Sequence, residues 1–416
     1  MGDTRPKEAP EKLGVWDGSK FVFTQSNGGY YWWNIAKLVW KYGWTPIRTQ
    51  NLMKETVGKF LKMYEEPHFP FRSLSQVAYD LGLTVVTGAT GEQLLEEHNI
   101  GPPFSTDIIQ ASTRVNYGQN LGLIHGLETM VCMATDGAMA VKGGNWQIFD
   151  EMLKAASAHV RLDTRVVEVR RNDDRTYAIS SATGQSTGEV VQQDTDEFDT
   201  VVIAAPLQFS DINLSPSLPK PPDKIPYVKL QVTLFASPHR LSPTAFNLPE
   251  DAAVPEVVLT TLPSNESMGQ RQDGVGPAGF FSISTLRTIN NPSARPRRTE
   301  YLYKVFSPEP LTSAFLSRVL DFSDPESDLS SIPKEDVSWL YEKAWHSYPY
   351  LYPRVTFDDP QLDWNLWYTS GESFISTMET SSLMGVNVAR LVVDDWKGVV
   401  QLEPALKFDR FGEELH

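Results

Sequence analysis

The run Thr200-Val-Val-Ile-Ala-Ala-Pro-Leu207 constrains the fold more than any other stretch of this 416-residue chain. It is short and β-branched with small residues after it, so it reads as a buried parallel strand. Parallel strands are joined by crossovers rather than tight hairpins, and the text upstream supplies the pieces. "GNWQIFDEMLKAASAH" makes a helix, and "VRLDTRVVEVRR" switches to period two with Val166, Val167 and Val169 as strand residues. A polar hairpin region from Asn172 to Asp199 leads into the parallel strand.

The rest of the chain predicts a mixed α/β architecture. From Tyr30 to about Glu97 the rhythm is helical: Ile35, Leu38 and Val39 share one face, and Leu52, Val57, Phe60, Leu61 and Tyr64 recur along the next. The Pro-rich "LSPSLPKPPDKIP" from Leu214 to Pro226 is a linker or crossover. "YVKLQVTLFAS", "EVVLTTL", "FFSISTL" and "EYLYKVFS" then suit a largely antiparallel sheet. The tail passes through "VSWLYEKAWHSYPYLYP" and "DWNLWYTSG" into "STMETSSLMGVNVARLVV", a helix with an abrupt polar start. Ser376 and Thr377 suit its N-cap, and Glu379 falls where a capping box wants a carboxylate. Ser381, Gly385 and Ala389 form a small-residue stripe that predicts close packing on a neighbour. Two readings of this helix stand side by side: a capped packing helix, or an N-terminus whose amides and positive dipole end face a bound cofactor.

Composition narrows the function. Hydrophobic residues at 41% and aromatic residues at 11% support a substantial core, and the length allows two or three domains. The formal charge of -15, with 52 acidic against 37 basic residues, offers no basic surface for a phosphate backbone, so nucleic acid is not an expected partner. The single Cys132 rules out an internal disulfide framework, a Cys-based zinc cluster and a CxxC pair. Lys37 and Lys41 interrupt the aromatic stretch Tyr30 to Trp44 well short of the ~20 residues a membrane span needs, so no transmembrane helix is predicted. "MGDTRPKEAPEK" has no apolar core of a signal peptide, so the chain as written carries no secretion signal. Asn213-Leu-Ser and Asn265-Glu-Ser are sequons that matter only on a secretory route.

Two glycine motifs fail the test of context. Gly274-Val-Gly-Pro-Ala-Gly279 is a literal GxGxxG, but a polar run precedes it and the strand-like "FFSIST" follows, so it reads as a loop. "LTVVTGATGEQLLEEH" sets Gly88 and Gly91 between strand-like and helix-like text, and a helix cap explains it as well. No GxSxG elbow is present, and the seven histidines show no paired ligand spacing. His125 and His346 read as structural histidines, and no metal site is expected. No side chain stands out as the chemical agent, as is usual where a cofactor does the hard chemistry.

The order of elements from Gly143 onward resembles the second half of a two-dinucleotide-fold flavoprotein: a Gly-Gly turn and helix, a strand, a hairpin, a buried strand, a second sheet, and a turn leading into a small-residue helix. "TRVNYGQN" (113–120), "AVKGGN" (140–145), "WHSYPYLYP" (345–353) and "STMETSSLMGVNVARLVVDDWKG" (376–398) make the likeness specific. With "GVWDGSKFVF" and "KLVWKYGW" near the start, they resemble the prenylcysteine oxidase family, also called prenylcysteine lyase, from Gly14 to about Gly398.

That resemblance implies an FAD-dependent enzyme that cleaves the thioether of farnesylcysteine or geranylgeranylcysteine left by degraded prenylated proteins. Cysteine, a prenyl aldehyde and hydrogen peroxide would form, with molecular oxygen as the final acceptor. The carbon between sulfur and alkene is a good hydride donor, because both groups spread its developing positive charge; flavin takes the hydride and water completes the cleavage. An apolar tunnel is implied, which the aromatics of Tyr30 to Trp44 could line, each buried CH₂ contributing about 0.8 kcal/mol. The implied fold is a two-domain FAD/NAD(P)-binding flavoprotein fold with a helical and antiparallel-sheet substrate domain. Residues 1–145 would form a mainly helical substrate or cap region, 146–213 part of the FAD-binding domain, 214–350 the antiparallel-sheet substrate domain, and 351–416 the return to the FAD-binding domain. By analogy Glu379 takes the acidic place beside the FAD ribityl chain, with Met378 and Thr380 offering backbone amides. Val167 would contact adenine through its backbone, and Gly143 and Gly144 would let backbone approach the flavin ring or form a plain turn.

Family members usually carry a further N-terminal section with a strand, a GxGxxG turn and an acidic residue. The chain as written starts after that region, which implies either a truncated sequence or a natural form with impaired flavin binding. A lysosomal or vacuolar setting is implied by the resemblance alone. Other readings are a flavin oxidase of another prenylated or terpenoid small molecule, and a non-catalytic prenyl-binding remnant.

Overall fold

The computed structural model describes residues 12–26, 38–134, 139–183, 192–291, 297–323, 328–369, 371–398, 407–408 and 414–415. The chain opens on a hairpin, β1 (Lys12–Trp16) and β2 (Phe21–Ser26). Asp17 shapes its turn by accepting from the Ser19 and Lys20 amides, each at 2.8 Å.

A helical layer follows: α1 (Thr45–Leu61), α2 (Leu74–Asp80), α3 (Thr84–Thr87), α4 (Gly91–Glu97), α5 (Gln110–Tyr117) and α6 (Gly126–Met133). Leu52, Phe60, Leu74, Leu94 and Leu127 bury together in the largest apolar cluster of the described residues. Thr84–Thr87, strand-like in sequence, is a single helical turn that Gly88 closes, the Gly88 amide donating to Thr84 O. Thr90 and Gln93 form a full capping box at the start of α4, so the glycines of this segment serve caps. Most of the aromatic stretch from Tyr30 lies outside the described residues. Of its end, Trp40 is 91% exposed, while Tyr42 is buried with its hydroxyl on Asp107 at 2.9 Å.

Beyond α7 (Trp146–Ala155) come β3 (Thr164–Arg171), β4 (Tyr177–Thr183), β5 (Gln192–Phe198), β6 (Val201–Ile203) and β7 (Asn213–Ser215). β3, β4 and β5 form an antiparallel meander, and β7 returns parallel to β3. The long strands β8 (Tyr227–Ser237), β9 (Val257–Thr260), β10 (Ser282–Asn291), β11 (Arg298–Ser307) and β12 (Trp339–Pro349) build a seven-stranded sheet with the opening hairpin, in the order β12-β8-β11-β10-β9-β1-β2. All its pairs are antiparallel except β1 with β9. Residues 12–26 therefore join a sheet otherwise made from residues 227–349. α8 (Ser313–Leu320), capped by Thr312, covers one face beside Phe235, Ile283 and Val305.

β13 (Gln361–Asp363) and β14 (Leu366–Tyr368) complete a three-stranded sheet ordered β13-β14-β6. The parallel strand expected at Thr200–Leu207 is present, pairing Val201, Val202 and Ile203 with Leu366, Trp367 and Tyr368. It is shorter than its apolar text and only Ile203 is buried; Val202 is 46% exposed because β6 has one neighbour and edges this sheet. The last helix, α9 (Met378–Trp396), buries Thr380, Leu383, Met384, Asn387, Val388 and Leu391. Its stripe of Ser381, Gly385 and Ala389 faces solvent, because the larger apolar residues one position away claim the buried arc. Asn387 bonds both ways to the backbone of Phe71, at 2.8 Å each, and ties α9 to the helical layer.

Candidate functional site

Strand β14 is the hinge of the site, since its alternate residues face opposite ways. Leu366 and Tyr368 pack with Ile203, Val169 and Tyr177, which joins the three-stranded sheet to β3 and β4. Trp367, between them, packs on Val388 and Leu391 of α9. Ligands of open parallel sheets gather at the carboxyl ends of the strands. At that end of β6 and β14 lies a cavity of about 210 Å³, lined among others by Leu207, Gln208, Tyr227, Tyr368 and Glu372.

The lining mixes apolar and aromatic residues with Gln208, Lys224 and four carboxylates, Asp211, Asp223, Asp358 and Glu372. Tyr368 Oη accepts from the Leu207 amide at 3.2 Å, so the loops after the two strands are fixed to each other. Burial, and behind it the Glu372 carboxylate, pushes the Tyr227 phenol well above its ordinary value, so it stays neutral. Burial likewise raises the Asp358 carboxyl in the cavity wall. Glu372 follows β14 and precedes α9, and sequence reading passed over it in favour of Glu379. Its signal was an acidic residue directly after a strand and a glycine, in "WYTSGE". That Gly371 must be small: an added Cβ would lie 2.8 Å from Met384 Cγ on α9.

The start of α9 adjoins this turn. Thr377 is the N-cap, its hydroxyl oxygen accepting from the Thr380 amide at 3.1 Å. Glu379 is one residue too early for a capping box with Thr377, and its carboxylate instead accepts from the Tyr64 hydroxyl. Among the described residues, no side chain takes the amides of Met378 and Glu379, whereas Thr380 is buried with its amide already used. Of the two amides expected to face a cofactor, that of Thr380 is therefore taken and that of Met378 stays open at an exposed helix start, joined there by the amide of Glu379.

Val167 is half-buried in β3 and sits at a β-bulge, where the register with β4 slips between Val166 and Glu168. Its strand and α9 lie on opposite sides of β14. Gly143 and Gly144 have φ of +91° and +117°, which only glycine adopts readily. Their carbonyls are held by Trp146 and Gln147 of the following helix at 3.0 and 3.2 Å, so the turn satisfies itself. No residue of the following helix α7 is buried.

A buried polar cluster stands behind α9. Glu128 of α6 is 0% exposed; its Oε2 accepts from the Ser376 amide at 3.1 Å, and its Oε1 has no partner among the described residues. Burial pushes this carboxyl up to about 7, against the stabilising pull of Tyr117 and the Ser376 amide. His125 caps α6 by accepting from the Glu128 amide at Nδ1, at 3.1 Å, and burial pushes it down to about 4. The structural role expected for His125 is this cap, although its Nε2 has no partner among the described residues. His346, by contrast, is exposed on the edge strand β12 and stacks on Phe209 at 4.9 Å.

The two glycine and arginine motifs also find their places. Arg114 of "TRVNYGQN" is buried without a carboxylate; it donates to Thr260, Asn120 and the carbonyls of Gly274 and Val275 at 2.7–3.1 Å. Asn120 donates to the same Gly274 carbonyl at 2.7 Å, so the GxGxxG at Gly274 is a loop fastened by that motif.

The chemistry of the donor set fits a flavin dinucleotide in one respect and limits it in another. Open amides at a helix start and the Glu372 carboxylate suit carbonyl oxygens and ribityl or ribose hydroxyls. Glu379 beside the same amides disfavours a phosphate there, because the two anions would repel. No helix among the described residues is long and apolar enough to cross a membrane.

The sequence model of one protein family, described as prenylcysteine lyase, matches residues 25–403. A farnesylcysteine lyase of Arabidopsis thaliana is 28% identical over 403 residues, covering 93% of this chain and 71% of that protein. Prenylcysteine oxidase 1 of Bos taurus is 28% identical over 406 residues, covering 93% and 73%. A solved structure of a putrescine oxidase variant redesigned in its cofactor binding aligns with a TM-score of 0.49 at 12% identity, over 93% of this chain and 81% of that one.

Proposed function

Because the chain belongs to the prenylcysteine lyase family, we propose that it is an FAD-dependent oxidase of prenylcysteine. The reaction is oxidative cleavage of the farnesyl- or geranylgeranyl-cysteine thioether: thioether, oxygen and water give cysteine, prenyl aldehyde and hydrogen peroxide. The observation that carries this reading is the family match across residues 25–403. The cavity at the carboxyl ends of the parallel pair β6 and β14 supports it, since α/β folds hold ligands outside the carboxyl ends of parallel strands.

When bound, FAD supplies the two-electron acceptor for the carbon between sulfur and alkene. The Met378 and Glu379 amides donate to carbonyl or hydroxyl oxygens of the cofactor, and Glu372 accepts from its hydroxyls. The bulge at Val167 leaves backbone free of the ladder for the adenine end, and the Gly143–Gly144 turn lets a planar group approach closely. Residues 146–213 and 351–416 form the cofactor side in this division, while residues 1–145 and 214–350 form the substrate side. Apolar and aromatic lining such as Leu207, Tyr227 and Tyr368 holds the reacting carbon and keeps water from the site until it is needed. A lysosomal or vacuolar setting accompanies this reading. Anaerobic mixing of FAD-loaded protein with farnesylcysteine tests it: the flavin absorbance should bleach, and a spectrum that stays oxidised would remove the proposal.

A further inference from the structure

Reading the start of α9 as cofactor-facing leaves the buried cluster behind it unused. Glu128 is fixed from its own side: its amide is on His125 Nδ1, the His125 amide donates to Leu351 O at 2.7 Å, and Thr129 Oγ1 donates to His125 O at 3.0 Å. From this anchored position Oε2 takes the Ser376 amide at 3.1 Å. On the other side of the same peptide unit's residue, Tyr117 Oη of α5 donates to Ser376 O at 3.0 Å. Ser376 immediately precedes the N-cap Thr377, and two residues later come the open amides of Met378 and Glu379.

We propose that Glu128 and Tyr117 are positioning residues that grip Ser376 from both sides and set the direction of the first open amides of α9. Both are buried, at 0% and 7% exposure, so solvent does not compete for the two bonds. The Ser376 amide alone needs only a neutral acceptor, and a neutral acceptor would avoid the desolvation cost of a carboxylate. A carboxylate adds charge at the positive end of α9, where an anion strengthens the hold on the helix start. The groups facing Glu128 are Tyr117 from α5, Cys132 from α6, and the Ser376 backbone. Tyr348 at the end of β12 stands beside Tyr117 at 5.2 Å between rings, and Arg354 acts on neighbouring His125. The consequence for flavin rests on the reading of α9 in the proposed function; the grip on Ser376 does not.

Hydrogen exchange over residues 374–382, corrected for the intrinsic effect of pH, tests the grip in wild type, Tyr117→Phe, Glu128→Leu and Glu128→Gln. Loss of one buried bond should lower protection of 374–380 about tenfold in Tyr117→Phe and Glu128→Leu, with α5 and α6 largely unchanged. Glu128→Gln keeps an acceptor and should keep that protection, while losing the pH dependence wild type shows between pH 6 and 8. Unchanged protection in Tyr117→Phe, or a loss spread equally over α5, α6 and 374–380, overturns the grip. Tyr117→Phe removes one hydroxyl only, so it decides the matter even where Glu128→Leu fails to fold. In a parallel FAD titration, Tyr117→Phe should bind about tenfold more weakly than wild type. Wild type that takes up FAD with an affinity Tyr117→Phe shares overturns the positioning role. Wild type that takes up none sinks the cofactor reading of α9, and exchange alone then decides the grip.

Discussion

Replacing Glu128 by Gln should change how stability depends on pH, and the size follows from the burial of the carboxyl. Its ordinary value is 4.5, and burial pushes it up to about 7 in the folded chain. The folded state therefore holds a proton that the unfolded state has released, and stability falls as pH rises from 4.5 to 7, then levels off. The loss relative to the protonated form is about 1 kcal/mol at pH 5, about 2 kcal/mol at pH 6 and about 3 kcal/mol at pH 8. His125 works the other way: burial lowers it from 6.5 to about 4, so stability rises as pH climbs between those values. In wild type the two slopes oppose each other over the shared range. In Glu128→Gln the Glu128 slope is gone while those of His125 and of the other shifted carboxyls, Asp358 among them, are kept, so the difference between variant and wild type isolates Glu128. Urea unfolding at a series of pH values measures this. The extra amide donor adds a pH-independent offset, so the growth of the difference is diagnostic: it should increase by about 2–3 kcal/mol from pH 5 to pH 8 in favour of the variant. A difference that stays constant over that range would refute the reasoning.

Three further outcomes follow from single side chains. Asn387→Ala leaves the amide and carbonyl of Phe71 without their 2.8 Å partners in a buried joint, and urea unfolding should show a loss of roughly 3 kcal/mol. Arg114→Met should loosen the Gly274 loop, raising its proteolytic cleavage and lowering stability by about 3 kcal/mol or more, because Thr260, Asn120 Oδ1 and the Val275 carbonyl lose their donor while Gly274 keeps only Asn120. Glu379→Ala removes only an exposed bond to Tyr64, so stability should change by less than about 1 kcal/mol. FAD retention should fall nonetheless; retention equal to wild type would mean that Glu379 serves Tyr64 alone.

What the sequence disclosed depended on how local the cause was. Period-two text marked β3, and β-rich runs with broken alternation marked β8 and β11, because residues of each strand pack into a neighbouring apolar cluster. Thr84–Thr87 misled because β-branched residues suit strands, yet flanking turns confine these four to one helical turn. The stripe of Ser381, Gly385 and Ala389 misled for the opposite reason: small residues on solvent look like small residues at a contact until the buried arc is known. For the site, the abrupt start of α9 was legible, since capping is a local matter of Thr377 and Thr380. Glu128 was not, because its meaning comes from Ser376, 248 residues away. Glu372 stood in plain text after a strand and a glycine, but only the cavity shows which of two nearby carboxylates faces inward.

Product analysis tests the central claim most directly. FAD-loaded protein given farnesylcysteine in air should release cysteine, farnesal and hydrogen peroxide in equal amounts, and none of them without the flavin. Protein that holds FAD yet leaves the thioether intact would contradict the account.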